Sequence, residues 1–295
     1  MNRVERIAAG TIAVGVLVLA LKTGAWWLTG SAALLSDALE SVVNVVASGV
    51  ALIALRLAAM PPDATHPYGH DKAEFFAAVI EGVLIIVAAF SILVAAWDSY
   101  IAPRPIETPW VGLGLNAVAT ALNAGWAGVL LRAGRQHRSA ALRADARHLL
   151  ADVVTSVGVS LGLVLAVQTG TLALDPLLAA LTAIYVLWSG MVLMRESVGG
   201  LMDAAPAAII VERIRALVGE HASGAIEAHD LRSRQAGRQT YLEFHLVVPG
   251  EMRVADAHVI CDRIEAALRA EMEELVITIH VEPDSKAKHQ GVLVL

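Results

Sequence analysis

Long apolar runs separated by short polar connections fill the first two thirds of the chain. Six of them, at 7–28, 32–57, 75–97, 110–131, 141–167 and 174–194, are long enough to cross the hydrocarbon core of a bilayer as helices. A bilayer offers no water to the backbone, so each run is expected to satisfy its own peptide groups as a helix. Trp26 and Trp27 close the first run and suit an interface belt. A turn at Gly30 joins the first two runs, and a polar stretch at 61–74 joins the second to the third. Past Gly199 and Gly200 the pattern changes. Residues 206–220 and 254–270 carry a helical period, while 226–234, 240–248 and 275–281 alternate like strands. The order αββαβ predicts a small α+β domain of ferredoxin-like or metallochaperone-like build, with both helices on one side of the sheet. The chain therefore divides into a six-helix membrane part, 1–204, and a soluble part, 205–295, with a frayed tail expected after Pro283.

Basic residues set the expected orientation. Arg3 and Arg6, Lys72 in the 58–74 connection, Arg132, Arg135, Arg138, Arg143 and Arg147, and Arg195 all fall in alternate connections. The turn at Gly30 and the 168–174 loop have no Lys or Arg, and Arg104 faces Asp98 and Glu107 in the remaining loop. Six spans with both termini cytoplasmic, in the inner membrane, satisfy this pattern.

Composition removes several classes of function. The 295 residues are 57% hydrophobic, more than a soluble domain of this size carries. The net charge of -6 offers no basic field for nucleic acid. A single cysteine, Cys261, excludes a disulfide framework and Cys-rich metal sites. The first apolar run is long, lacks a convincing cleavage site and leads into more membrane sequence, so a removable signal peptide is not expected.

The informative positions are polar ones inside the runs. The second run carries Ser36-Asp-Ala-Leu-Glu-Ser-Val-Val-Asn44, and the fifth carries Ala144-Asp-Ala-Arg-His-Leu-Leu-Ala-Asp152. Asp37 matches Asp145, Glu40 matches His148 and Asn44 matches Asp152. In each copy the last two stand at i and i+4, on one helix face. Ionisable groups at membrane depth are costly, about 2.5–3.5 kcal/mol each on insertion scales, and mark ion or proton paths. Glu40, Asn44, His148 and Asp152 offer one nitrogen and three oxygens. That set can hold Zn²⁺, Fe²⁺, Mn²⁺, Co²⁺ or Cd²⁺ between two helices. Asp37 and Asp145, a turn nearer the helix starts, are expected to act as caps or helix-dipole partners. An unperturbed histidine side chain titrates near neutrality and binds metal only when neutral, so a histidine at position 148 suggests exchange of metal for protons.

Two further groups can hold metal. Asp63, His66 and His70 fall within one loop, where the alternative is a solvated segment. His229, His245, His258, His280 and Glu282 lie on predicted strands or a helix of the soluble domain, with His280 and Glu282 on one strand face.

These stretches together resemble the cation diffusion facilitator family, in its bacterial ferrous-iron and zinc efflux branch. The likeness rests on Ser31-Ala-Ala-Leu-Leu-Ser-Asp-Ala-Leu-Glu-Ser, His66-Pro-Tyr-Gly-His-Asp-Lys-Ala-Glu74, the Asp145-Ala-Arg-His148 segment with Asp152, Leu201-Met-Asp203-Ala-Ala-Pro206 and His229-Asp-Leu-Arg-Ser-Arg. It spans essentially the whole chain. It implies a homodimer of six-span protomers that alternates between inward- and outward-facing states. It implies metal at Glu40, Asn44, His148 and Asp152, at Asp63, His66 and His70, and at His229, His245, His258, His280 and Glu282. It further implies a charge interlock between Lys72 and Asp203. Divalent metal would then be both substrate and regulator, with lipid around the spans and no prosthetic group. One departure stands out: the family pairs Asp or His with Asp four residues later in the second span, and this chain has Glu40 with Asn44.

The expected function is therefore secondary export of a divalent metal. A membrane metal sensor or scaffold with little transport is the competing reading, kept open by the altered pair. An intramembrane metallohydrolase would need a His-Glu-x-x-His pair or a second intramembrane histidine, which the chain lacks, so no enzyme is expected.

Overall fold

The computed structural model describes residues 3–103, 107–136, 140–237, 239–272, 274–288 and 292–293. Two compact units emerge, Met1–Arg56 with Phe76–Glu196, and Leu57–Phe75 with Ser197–Leu295.

The first unit is helical: α1 (Arg3–Thr29), α2 (Ala32–Ala58), α3 (Ala73–Ile101), α4 (Pro109–Gln136), α5 (Ala140–Thr169) and α6 (Leu174–Leu201). Each contains a stretch long and apolar enough to cross a membrane, so the chain is a multi-pass membrane protein. Small residues let the helices approach. Ala25, Ala32, Ala33, Ala96, Ala179 and Ala183 lie at the buried contacts, and a Cβ at Gly10 of α1 would meet Trp126 of α4 at 2.8 Å. Val83, Val87, Phe90, Val94 and Trp97 of α3 point outward at helical spacing, as a lipid-facing stripe should.

The start of α2 is capped from elsewhere in the fold. The Ala32 N–H donates to Asp175 Oδ2 at 2.7 Å, the Ser31 hydroxyl donates to Asp175 Oδ1 at 2.5 Å, and the Leu34 N–H donates to Ser31 Oγ at 3.2 Å. Asp37 is therefore not the cap the sequence suggested. It lies beyond the orphan N–H groups, in the second turn of the helix, and its carboxylate pairs with Lys22. The Asp145 side chain lies outside the described residues.

The second unit contains α7 (Ala208–His221), β1 (Glu227–Ala236), β2 (Gln239–Val248), α8 (Val254–Glu271) and β3 (Leu275–Pro283). With a short last strand, β4 (Val292–Leu293), the sheet order is β3-β2-β1-β4, with β1 and β2 antiparallel and β2 and β3 parallel. Gly237 turns the β1–β2 hairpin at φ +57°, while the parallel pair needs the crossover that α8 supplies. Leu242, Phe244 and Leu246 alternate onto the helix-covered face. There they meet Ile214, Leu217 and Val218 of α7 and Ile260, Ile264 and Leu268 of α8.

The tail departs from expectation. A 3₁₀ turn at Asp284–Lys286 follows β3, and β4 (Val292–Leu293) pairs antiparallel with Glu227 and Ala228 of β1. Without it that stretch of β1 would be an open edge with unpaired backbone groups, which is the physical reason a short apolar pair settles there.

Candidate metal centre

In the membrane unit, α2 places Asp37, Glu40 and Asn44 at i, i+3 and i+7, and α5 places His148, Asp152 and Ser156 at i, i+4 and i+8. Both sets form one-face stripes, and the two stripes meet. Nε2 of His148 is 3.0 Å from Oδ1 of Asn44. Carboxylate oxygens of Asp37, Glu40 and Asp152 fall within 4.8 Å of one another. A cavity of about 50 Å³ is lined by Glu40, Asn44, His148 and Asp152, with Thr155, Ser189 and apolar groups closing it. Glu40 Oε2 and Asp152 Oδ1 are buried there with no hydrogen-bond partner among the described residues. A buried carboxylate oxygen left bare is strongly disfavoured, and a cation removes that cost. One imidazole nitrogen and three oxygens around so small a cavity suit a dehydrated divalent transition metal.

Three partners in this cluster escape the sequence reading. Lys22 of α1 is 1% exposed, and its ammonium donates to Asp37 Oδ1 at 2.7 Å, Ser156 Oγ at 2.9 Å and Asp152 Oδ2 at 3.1 Å. Ser156 Oγ also donates to Asp37 Oδ1 at 2.8 Å. Asn123 of α4 donates a short hydrogen bond to Asp152 Oδ2. A signal for Lys22 was available: it is an ionisable residue in the middle of an apolar run. Asn123 gives a weaker signal, because a neutral amide in a span more often bonds to a neighbouring helix.

In the second unit, the 58–74 connection folds around Asp63. Its Oδ1 accepts from the Thr65 N–H at 2.8 Å, the Thr65 hydroxyl at 2.7 Å and the His66 N–H at 2.7 Å. His66 Nδ1 and His70 Nε2 each stand 3.4 Å from an Asp63 oxygen, with ring centroids 4.4 Å apart. The Thr65 hydroxyl, followed by the His66 backbone, holds the Asp63 carboxyl well below the usual carboxylate range.

Lys72 Nζ is 2.9 Å from Asp203 Oδ1, and Arg234 donates to the same oxygen at 3.0 Å. The Arg234 guanidinium also lies over the Tyr241 ring, 4.2 Å from its centroid. Asp203 has φ +60°, a conformation that Asp tolerates, and its hydrogen bond from Lys72 draws its carboxyl below the ordinary range. Arg234 was not anticipated; no periodicity links it to Asp203.

On the sheet face away from the helices, His229, His245 and His280 sit opposite one another across β1, β2 and β3. In the next rung Val247 separates Glu227 from Glu282. His229, His245 and Glu282 offer ligand atoms within 4.8 Å, and the His280 ring centroid is 4.9 Å from that of His245. A shift of register between His229 and Arg232, with Asp230 at φ +53°, bends β1 just beyond this rung. His229 is almost fully buried between Glu227 and Glu282, whose oxygens lie 3.2 and 3.4 Å from its ring nitrogens. His258 does not join this cluster within the protomer. It lies on α8, 72% exposed, with Nε2 3.7 Å from Asp262. The helical period that puts Ala257, Ile260, Cys261 and Ile264 into the core turns position 258 outward.

Comparison with known proteins agrees with this layout. The cation efflux transmembrane domain matches residues 9–202, and the cytoplasmic domain of cation efflux proteins, a dimerisation domain, matches 206–284. An uncharacterized transporter of Synechocystis sp. is 42% identical over 273 residues, covering 92% of this chain and 88% of its own. The cation-efflux pump FieF of Shewanella oneidensis is 31% identical over 280 residues, covering 95% and 94%. The metal-bound C-terminal domain of the CzcD transporter from Thermotoga maritima is 26% identical, covering 27% of this chain and 93% of its own, with a TM-score of 0.25.

Proposed function

Because the chain belongs to the cation efflux family and is a cation efflux transporter rather than an enzyme, we propose that its cargo is a divalent transition-metal ion held between Glu40, Asn44, His148 and Asp152. The observation that carries this reading is the pair of buried oxygens, Glu40 Oε2 and Asp152 Oδ1, that have no hydrogen-bond partner among the described residues and belong to two residues lining one small cavity beside His148. Ions of the Zn²⁺, Fe²⁺ and Mn²⁺ class fit such ligands. Export is exchanged for protons, because the ligands must shed protons before they take up metal. Alternating access opens the site to either side in turn.

The rest of the protein serves that cycle. The soluble part, from about residue 205, is cytoplasmic and dimerising. Two identical protomers would place two transport paths side by side in the inner membrane. An even number of spans then puts the N-terminus on the cytoplasmic side too. His229, His245, His280 and Glu282 form a regulatory site that reads cytoplasmic metal, with His258 free to contribute from the exposed face of α8. Asp63, His66 and His70 collect ions at the membrane surface, and Lys72 with Asp203 holds that loop.

The test is metal flux in reconstituted vesicles. Asp152→Asn should cut the initial rate by at least about tenfold, in line with the loss expected when a site's ligand environment is disturbed. An undiminished rate would remove Asp152 from the path, and with it this site.

A further inference from the structure

The Lys22 ammonium has three donors and three acceptors: Asp37 Oδ1, Asp152 Oδ2 and Ser156 Oγ. It is saturated, and moving it would leave a bare charge at membrane depth. Its effect on Asp152 is asymmetric. Oδ2 accepts from both Lys22 and Asn123, while Oδ1 has no hydrogen-bond partner among the described residues. Both side chains are fully buried. Charge points the same way. With Asp37, Glu40 and Asp152 ionised, Lys22 cancels one of three negative charges and leaves two, which one dication neutralises.

We propose that Lys22, seconded by Asn123, is a specificity-determining positioning residue. By occupying Oδ2 it leaves Asp152 a single oxygen to offer, and so holds the cargo ion at four ligands. The inference rests on the transport site assigned above. Zn²⁺ accepts four ligands readily. Mn²⁺ favours an octahedral, oxygen-rich shell and gains from a carboxylate that binds through both oxygens. A held Oδ2 therefore favours the ion of low coordination number.

The experiment uses the full chain in a background of His66→Ala, His70→Ala, His229→Ala and His245→Ala, leaving the membrane site to bind metal. X-ray absorption at the zinc and manganese edges gives the coordination number, and vesicle uptake gives the Mn²⁺-to-Zn²⁺ rate ratio. Four ligands on zinc are expected before further substitution. Lys22→Gln should add at least one oxygen ligand and raise the rate ratio at least about tenfold, the size of effect outer partners of metal ligands usually have. Asn123→Leu should shift both in the same direction by less. Five or more ligands before either substitution, or an unchanged coordination number in Lys22→Gln with metal still bound, overturns the inference and leaves the transport site standing. Absence of any bound metal in the starting background overturns both. If Lys22→Gln does not fold, the starting coordination number and Asn123→Leu decide the matter, since a merely structural lysine would move neither.

Discussion

Nε2 of His148 on α5 lies 3.0 Å from Oδ1 of Asn44 on α2. This contact joins the two helices whose matched polar stripes are far apart in sequence. It also puts a neutral amide where a carboxylate would add a full charge to the cavity. The donor set is correspondingly less negative than one built from three carboxylates and a histidine.

Asn44→Asp should therefore bind metal more tightly and release it more slowly. The expected shift is about tenfold in affinity, on the order of 1.4 kcal/mol, with a lower maximal rate. Asn44→Ala should weaken binding by a similar factor. Titration of Zn²⁺ into the detergent-purified protein measures the first quantity and vesicle uptake the second. If neither variant changes either quantity, Asn44 is not a ligand.

Lys72 and Arg234 share one oxygen of Asp203, which is about half exposed. Solvent screening limits such pairs to about 0.2–1 kcal/mol. A double-mutant cycle on Lys72→Ala and Asp203→Ala, read by thermal unfolding of the second unit, should return a coupling in that range. The coupling should shrink in high salt. A value of several kcal/mol would mean the pair is buried in the working state.

Much of this architecture could be read before any coordinates. The six runs and the αββαβ order followed from periodicity, because a bilayer and a half-buried sheet impose strict patterns on side chains. The pairing of Glu40 and Asn44 with His148 and Asp152 was legible because the repeat carries its spacing with it. What failed depends on contacts between elements. Asp37 looks like a cap from its position, but the cap comes from Ser31 and Asp175. Lys22, Asn123 and Arg234 reach their partners across distances that no local period encodes. The β4 pairing was missed because two residues are too few to show alternation.

Asp63 gives a prediction in pH. Its carboxyl is held below the ordinary range by the Thr65 hydroxyl first and the His66 backbone next. A depressed value stabilises the loop above the unperturbed carboxylate pKa of about 3.9. That contribution is lost as pH falls through the lower, folded value. Amide signals of Thr65 and His66 should keep their hydrogen-bonded positions at pH 4 and move only in stronger acid. Asp63→Asn should abolish the transition and weaken metal binding by the loop. Signals that move around pH 5 would mean the carboxylate is not held as described.

The rung of histidines across β1, β2 and β3 predicts a link between metal and stability. Among the described residues, neither ring nitrogen of His229 has a hydrogen bond of good geometry, although Glu227 and Glu282 stand close by. A dication at His229, His245 and Glu282 would take up that capacity. Binding to the folded form alone stabilises by about 2.7 kcal/mol when free metal exceeds the dissociation constant a hundredfold. Zn²⁺ should therefore raise the unfolding temperature of the second unit by several degrees, and a chelator should reverse the shift. His245→Ala should lose most of it while unfolding at nearly the parent temperature without metal, because the ring is only partly buried. Glu227→Gln should keep the fold but weaken the metal response about tenfold, since its carboxylate stands 3.2 Å from His229 Nδ1 and orients that ring. A full metal response in His245→Ala would show that the ion settles elsewhere in the domain.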